Sequence, residues 1–191
     1  MDIALRNTVK KQLLWVAMAA ILMFFASLLS AFIVEKADVG NWETFPLPNH
    51  FAISTGIIIL SSLLLLFVRP KLRKQESVFI LVFTVLILGL LFSYFQIKGC
   101  QELTNRPFPN AIYLTGEGSN ISGSFLYILT LTHLLHLAGG LVGLFISTIK
   151  SKQNLYSIEN YLGLELTSIY WHFLTVLWII LFGFLKFYIN Q

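Results

Sequence analysis

Residues 165–178 read Glu165-Leu166-Thr167-Ser168-Ile169-Tyr170-Trp171-His172-Phe173-Leu174-Thr175-Val176-Leu177-Trp178. They lie inside an apolar segment, residues 161–190, which exceeds the roughly 20 residues that a helix needs to cross a bilayer. At about 3.6 residues per turn, one stripe of this helix collects the polar side chains of Glu165, Ser168, His172 and Thr175. Because an ionisable side chain in contact with lipid costs at least ~2.5 kcal/mol, we expect the stripe to face protein or a water-filled crevice.

The composition of the whole chain is that of a membrane protein. Of its 191 residues, 57% are hydrophobic and 12% are charged, and the mean hydropathy is +0.78, far from the balance of a soluble domain. This length predicts one domain, residues 1–191. The net charge of +4 is dispersed between apolar runs rather than gathered in a patch, so we expect no nucleic-acid partner. Cys100 is the single cysteine, which excludes a disulfide within the chain and a multi-cysteine metal site.

Five apolar runs are long enough to span a bilayer, and every proline falls between them. The runs are residues 13–34, 51–68, 78–97, 125–149 and 161–189. The sequence therefore predicts an all-α, polytopic bundle of five transmembrane helices.

The basic residues predict how this bundle is oriented. Nine of the thirteen lysines and arginines lie in the N-terminal segment and in the second and fourth connections. Because cytoplasmic segments are enriched in lysine and arginine, we expect the N-terminus in the cytoplasm and the C-terminus outside.

The fourth run carries His133 and His136, three residues apart and therefore on one helix face. We expect each imidazole to hydrogen-bond across the bundle or to a nearby carbonyl, because polar groups in hydrocarbon need partners. Two alternatives are a metal pair completed by His172 or Glu165 and a role in a water or proton path. No nucleophile–base–oxyanion set is present, so we assign no catalytic, cofactor-binding or metal-ligating residue.

Two interpretations of Glu165 carry equal weight. It is either a solvated carboxylate at the start of a helix, favoured by the helix dipole, or a buried group hydrogen-bonded to a histidine on the neighbouring helix. Gly139 and Gly143 form a GxxxG spacing that permits close helix approach. Small polar residues such as Ser61 and Ser62 indicate packing surfaces.

These residues resemble a known family. Glu165, the element Tyr170-Trp171-His172-Phe173 and Trp178 are similar to the last-helix signature of subunit III of the haem-copper oxygen reductases, the cytochrome c oxidase family. The preceding helix, with residues 124–130, His133 and His136, is similar to a second signature of that family. Weaker matches occur at residues 24–32, Ser61, Ser62 and Gln96. Five spans resemble the short bacterial form, which lacks the first two helices.

The resemblance implies an accessory, non-catalytic subunit of a proton-pumping terminal oxidase in the bacterial cytoplasmic (inner) membrane. Such a subunit packs directly on oxidase subunit I, which holds the haem and copper, and its partners extend to other oxidase subunits, a respiratory supercomplex and membrane lipids. It carries no redox cofactor, binds phospholipid in a V-shaped cleft, and supports proton uptake and sustained turnover. The resemblance assigns an interior or lipid-cleft role to Thr130, His133, His136, Glu165, Tyr170, Trp171, His172 and Trp178.

The chain also departs from the family pattern. Thr175 replaces an aspartate, Leu131 and Leu134 replace glycines, and Ile21 replaces a glutamate, which puts in doubt any proton or oxygen path that relies on those carboxylates. Rival functions are a component of a quinol oxidase or nitric oxide reductase, and a membrane haem-b anchor that uses His133 or His136. A small transporter is disfavoured, because inverted repeats and broken helices are missing.

Overall fold

The computed structural model describes residues 3–38, 47–105, 121–157 and 160–189. Within these ranges most of the chain is helical. The helices are α1 (Ile3–Asp38), α2 (Asn49–Leu65), α3 (Val68–Arg73), α4 (Phe79–Thr104), α5 (Ile121–Lys152) and α6 (Leu162–Ile189). The short α3 continues α2 after a break at residues 66–67, and together they form one apolar stretch.

Among the described residues, five helical stretches are long and apolar enough to cross a membrane, which confirms the predicted all-α membrane bundle. The helices are longer than the apolar runs at most of their ends. Helix α1, for example, extends from Ile3 to Asp38, whereas the predicted span covered residues 13–34. Polar residues extend these helices because a backbone that has started a helix in the bilayer keeps its hydrogen bonds beyond the hydrocarbon.

Four helices form a closed ring. The pairs α2–α4, α4–α5, α5–α6 and α6–α2 all pack on one another, and the interior of the ring is filled by large buried side chains. The largest of these that are fully buried are Trp171, Trp178, Phe51 and Phe92.

Helix α1 lies outside this ring, against α5 and α6. Its buried side chains Met18, Phe25 and Phe32 recur every seven residues and so form one narrow stripe. Phe32 packs edge-on against Phe125 of α5 and Phe184 of α6, with ring centroids 5.5 and 5.1 Å apart. The rest of α1 is largely exposed.

A polar contact joins α1 to α6 at each end. The ammonium of Lys11 contacts the carboxylate of Glu165 at 2.9 Å, and that of Lys36 donates to the carbonyl of Tyr188 at 2.6 Å. The first residues of α1 and the start of α6 therefore lie at the same end of the bundle. Which side of the membrane this end faces stays a prediction from the basic residues.

Candidate functional site

The two tryptophans of the α6 signature, Trp171 and Trp178, point into the ring and are held by small polar residues of α2. The indole N–H of Trp171 donates to Ser61 Oγ at 2.9 Å, and that of Trp178 donates to Thr55 Oγ1 at 3.0 Å. Ser61 in turn donates to the carbonyl of Ile58 at 2.7 Å. The acceptors are thus positioned by the backbone of α2, and each buried indole has the partner that hydrocarbon surroundings demand.

Trp171 occupies a slot built by three helices. A Cβ atom added to Gly89 of α4 would lie 2.6 Å from Trp171 Cη2, and one added to Gly140 of α5 would lie 3.1 Å from Trp171 Cε3. With Ser61 of α2 as acceptor, the indole touches every other helix of the ring. The indole is also fully buried, at 0% exposure.

The predicted close approach of α5 and α6 is also present. A Cβ on Gly143 would lie 3.2 Å from Thr167 Oγ1, and one on Gly139 would lie 3.9 Å from Tyr170 Oη. Tyr170 donates its hydroxyl to the carbonyl of His136 at 3.1 Å. The GxxxG spacing therefore marks a real helix contact.

His172 faces the outer side of the ring rather than its centre. Its Nδ1 hydrogen-bonds with the hydroxyl of Ser62 on α2. With Glu165 and Ser168 it lines a pocket of about 280 Å³ between α2 and α6, whose other walls include Leu66 and Arg69. Three residues of the predicted polar stripe therefore share one crevice.

Thr175, the fourth member of that stripe, does not reach the crevice. It is 3% exposed and donates to the carbonyl of Trp171 at 3.0 Å. Its hydroxyl group therefore forms its hydrogen bond within α6, which is a common way to accommodate a threonine in a membrane helix.

Of the two interpretations of Glu165, the carboxylate at the start of a helix agrees with the structure, in which the side chain is partly exposed. It lies in the first turn of α6 and forms its ion pair with Lys11, with the side chains 28% and 41% exposed respectively. The alternative, a buried carboxylate bound to a histidine of the neighbouring helix, is wrong. Its position in the first turn places the carboxylate of Glu165 beside the Lys11 ammonium and at the positive end of the α6 dipole.

Exchanging the two charges tests whether this pair fastens α1. We expect Lys11→Glu and Glu165→Lys each to lower the stability of the folded chain by about 0.5–1 kcal/mol, because the pair is partly exposed. The double exchange should recover part of that loss, the remainder reflecting a lysine at the positive end of the α6 dipole. Thermal unfolding of the purified chain in detergent measures this. Equal losses in the double variant and in the sum of the single variants would show that the two residues do not interact.

His133 differs from expectation. It is 1% exposed, and neither ring nitrogen has a hydrogen-bond partner among the described residues. Aromatic rings surround it instead: Trp178 at 5.1 Å, Phe92 at 6.0 Å and Phe25 at 6.4 Å between centroids. The prediction that His133 forms a hydrogen bond across the bundle or to a nearby carbonyl is therefore wrong. Edges and faces of aromatic rings take the place of a polar acceptor.

His136 follows the expectation. Its Nδ1–H donates to the carbonyl of Thr132, one turn earlier, at 2.8 Å. Its ring also lies 5.7 Å from that of Phe25 between centroids, so this phenylalanine of α1 contacts both histidines of α5. The histidine face of α5 is thereby the surface on which α1 packs.

The alternative of a shared metal site does not fit this arrangement. Glu165 is paired with Lys11 and His172 with Ser62, so neither completes a ligand set with His133 and His136. Across the described parts of the chain, three or more histidine, cysteine or acidic side chains nowhere come together in a way that could hold a metal ion.

No interior role was assigned from the sequence to two residues on which the packing of the ring depends. Gln96 of α4 is 1% exposed and donates to Ser54 Oγ of α2 at 2.9 Å, and Gly89 forms one wall of the Trp171 slot. The signals available in the sequence were a glycine inside an apolar run, for Gly89, and the weak family match at Gln96.

Comparisons with known proteins identify the family of this chain. The sequence profile of a family described as cytochrome c oxidase subunit III matches residues 6–190. A probable cytochrome c oxidase subunit 3 of Nocardia farcinica is 28% identical over 182 residues, which cover 87% of this chain and 81% of that protein. A cytochrome bo(3) ubiquinol oxidase subunit 3 of Buchnera aphidicola is 25% identical over 193 residues, covering 93% and 92%. Since the match spans almost the whole sequence, this multi-pass membrane chain belongs to the cytochrome c oxidase subunit III family.

Proposed function

We propose that this chain is the accessory subunit III of a proton-pumping terminal oxidase in a bacterial cytoplasmic membrane. In this proposal it packs directly on oxidase subunit I, and the haem and copper that reduce dioxygen belong to that partner. The chain supports proton uptake and sustains turnover. Its further proposed partners are other oxidase subunits and a respiratory supercomplex.

One observation carries this proposal beyond family membership. The signature side chains Trp171, Trp178 and His172 form hydrogen bonds with side chains of α2. Their partners are Ser61, Thr55 and Ser62 respectively. Residues that bind helices together suit a subunit that maintains the shape of a larger complex.

The crevice between α2 and α6 supports the phospholipid part of the proposal. Leu65, Leu66 and Ile169 give it apolar walls, and Arg69 lies at its rim. An exposed guanidinium beside an apolar cleft suits a phosphate diester with its acyl chain in the cleft. We therefore propose that this crevice holds a phospholipid, with Ser168 and His172 beneath the headgroup.

A quinol oxidase is the second candidate, because the Buchnera relative carries that name. The two candidates share the fold and the proposed role and differ in the electron donor of the complex. Oxygen consumption by the purified complex, supplied with reduced cytochrome c or with a quinol, separates them.

Replacing His172 tests the accessory role. We expect a His172→Ala complex to keep its initial rate of oxygen reduction, to lose this subunit more readily during purification, and to inactivate after several-fold fewer turnovers. The physical reason is loss of the α2–α6 contact through Ser62 and of the polar floor of the crevice. Oxygen-electrode traces taken to exhaustion, together with co-purification of the partner subunits, measure all three.

Val176→Ala is the matched control, because Val176 lies one turn further along α6 and is 56% exposed. It should behave as the parent. If a fully assembled His172→Ala complex failed in its first turnovers, the accessory role would be wrong. If the chain purified without any oxidase subunit, the proposed complex itself would be wrong.

A further inference from the structure

A second pocket, of about 300 Å³, lies between α4 and α5, away from the crevice with Arg69. Its walls are formed largely by apolar groups, among them Ile97 of α4 and Leu131 and Leu134 of α5. Among the described residues, those that line it carry no formal charge. Leu131 is 61% exposed, so the pocket opens on the apolar outer surface of the bundle.

Two polar side chains in this lining each have one oxygen atom without a hydrogen-bond partner among the described residues. Gln96 is 1% exposed and Thr130 is 3% exposed. The amide N–H of Gln96 donates to Ser54 Oγ, whereas its Oε1 accepts no hydrogen bond from the described residues. The Oγ1 of Thr130 neither donates to nor accepts from any described residue. Each such buried group costs about 1–3 kcal/mol.

The unmet requirements of these two groups define a ligand chemistry. Gln96 Oε1 needs a donor, while Thr130 Oγ1 can donate and accept. One hydroxyl group has the chemistry that both require, since it donates through its hydrogen and accepts through its oxygen. A carbonyl or ether oxygen lacks the hydrogen that Gln96 requires.

We propose that this pocket binds a neutral, hydroxyl-bearing amphiphile from the bilayer, with its hydroxyl group between Gln96 and Thr130 and its apolar body along Ile97, Leu131 and Leu134. A charged headgroup is disfavoured because the lining supplies no counter-charge. Tyr127 contributes a wall, and its own hydroxyl donates to the carbonyl of Cys100 at 2.7 Å. The site is independent of the proposed phospholipid crevice and of the electron donor of the complex.

A pair of photoreactive probes tests this inference. The purified complex, in nanodiscs of its native lipids, is exposed to a diazirine-bearing hexadecanol or to the methyl ether of the same alcohol. We expect the alcohol to label residues 96–101 and 127–134 roughly five-fold more than the ether, the ratio that one net hydrogen bond supplies. Peptide mass spectrometry locates and counts the labels.

Variants connect the labelling to the two side chains. Thr130→Val preserves the shape of the side chain and should reduce alcohol labelling to the level of the ether, as should Gln96→Leu. If Gln96→Leu fails to fold because Ser54 loses its partner, Thr130→Val still decides. Thr84→Val is the control, because Thr84 is an exposed residue of α4, the helix that carries Gln96, and already donates to the carbonyl of Ile80. Equal labelling by alcohol and ether, or labelling unchanged in Thr130→Val, would overturn the proposal.

Discussion

A Trp171→Ala variant is expected to lose about 3–5 kcal/mol of folding stability, the range found when a buried aromatic side chain is removed. The indole is 0% exposed and lies between Gly89, Gly140 and Ser61 of three different helices. Its removal leaves a cavity at the centre of the ring that the rigid helix backbones cannot close. Reversible unfolding of the purified chain, by titration of a denaturing detergent into mild micelles, measures the change.

Two further tryptophan variants make this result specific. Trp171→Phe keeps most of the packing and loses the hydrogen bond to Ser61, so we expect a smaller loss of about 1–2 kcal/mol. Trp15→Ala alters a side chain that is 62% exposed on α1 and should change folding stability little. Comparable losses for Trp171→Ala and Trp15→Ala would contradict the central place of Trp171.

The second large effect is expected from adding one methyl group. In a Gly89→Ala variant the new Cβ would lie 2.6 Å from Trp171 Cη2 and 2.8 Å from Leu141 Cδ2. Leu141 can turn aside, but the indole is held by Ser61 and Gly140, so α4 must move outward. We expect a loss of about 1–3 kcal/mol, measured by the same unfolding titration.

Gly56→Ala is the matched control for this substitution. Gly56 also lies within a membrane helix, and a Cβ at that position would meet nothing within 4 Å. The added methyl group should leave stability unchanged or raise it slightly, since alanine favours the helix. Equal destabilisation by both substitutions would show that helix propensity, rather than the Trp171 slot, sets the cost.

The number and type of the membrane helices could be predicted from the sequence, because apolar runs of sufficient length have few alternatives in a bilayer. The polar stripe of α6 was also predictable, as its spacing alone places Glu165, Ser168 and His172 on one face. The partners of these residues were not predictable. Periodicity fixes which side chains share a face but not which neighbouring helix that face meets.

His133 and Glu165 show where the reasoning was insufficient. For His133 a polar partner was expected, whereas Trp178, Phe92 and Phe25 enclose it, drawn from three different helices. Such a cage depends on the tertiary arrangement and leaves no local sequence signal. For Glu165 both interpretations were open until the position of Lys11, 154 residues earlier, was known.

The position of α1 outside the ring has a consequence for biosynthesis. The ribosome makes α1 before α5 and α6, whose surfaces receive it and which are complete only at Ile189. At typical elongation rates the interval is roughly 8 to 30 s. During that time α1 has neither of the helices on which it packs and remains exposed to lipid. The lack of any charged residue between positions 12 and 34 makes this exposure inexpensive in free energy.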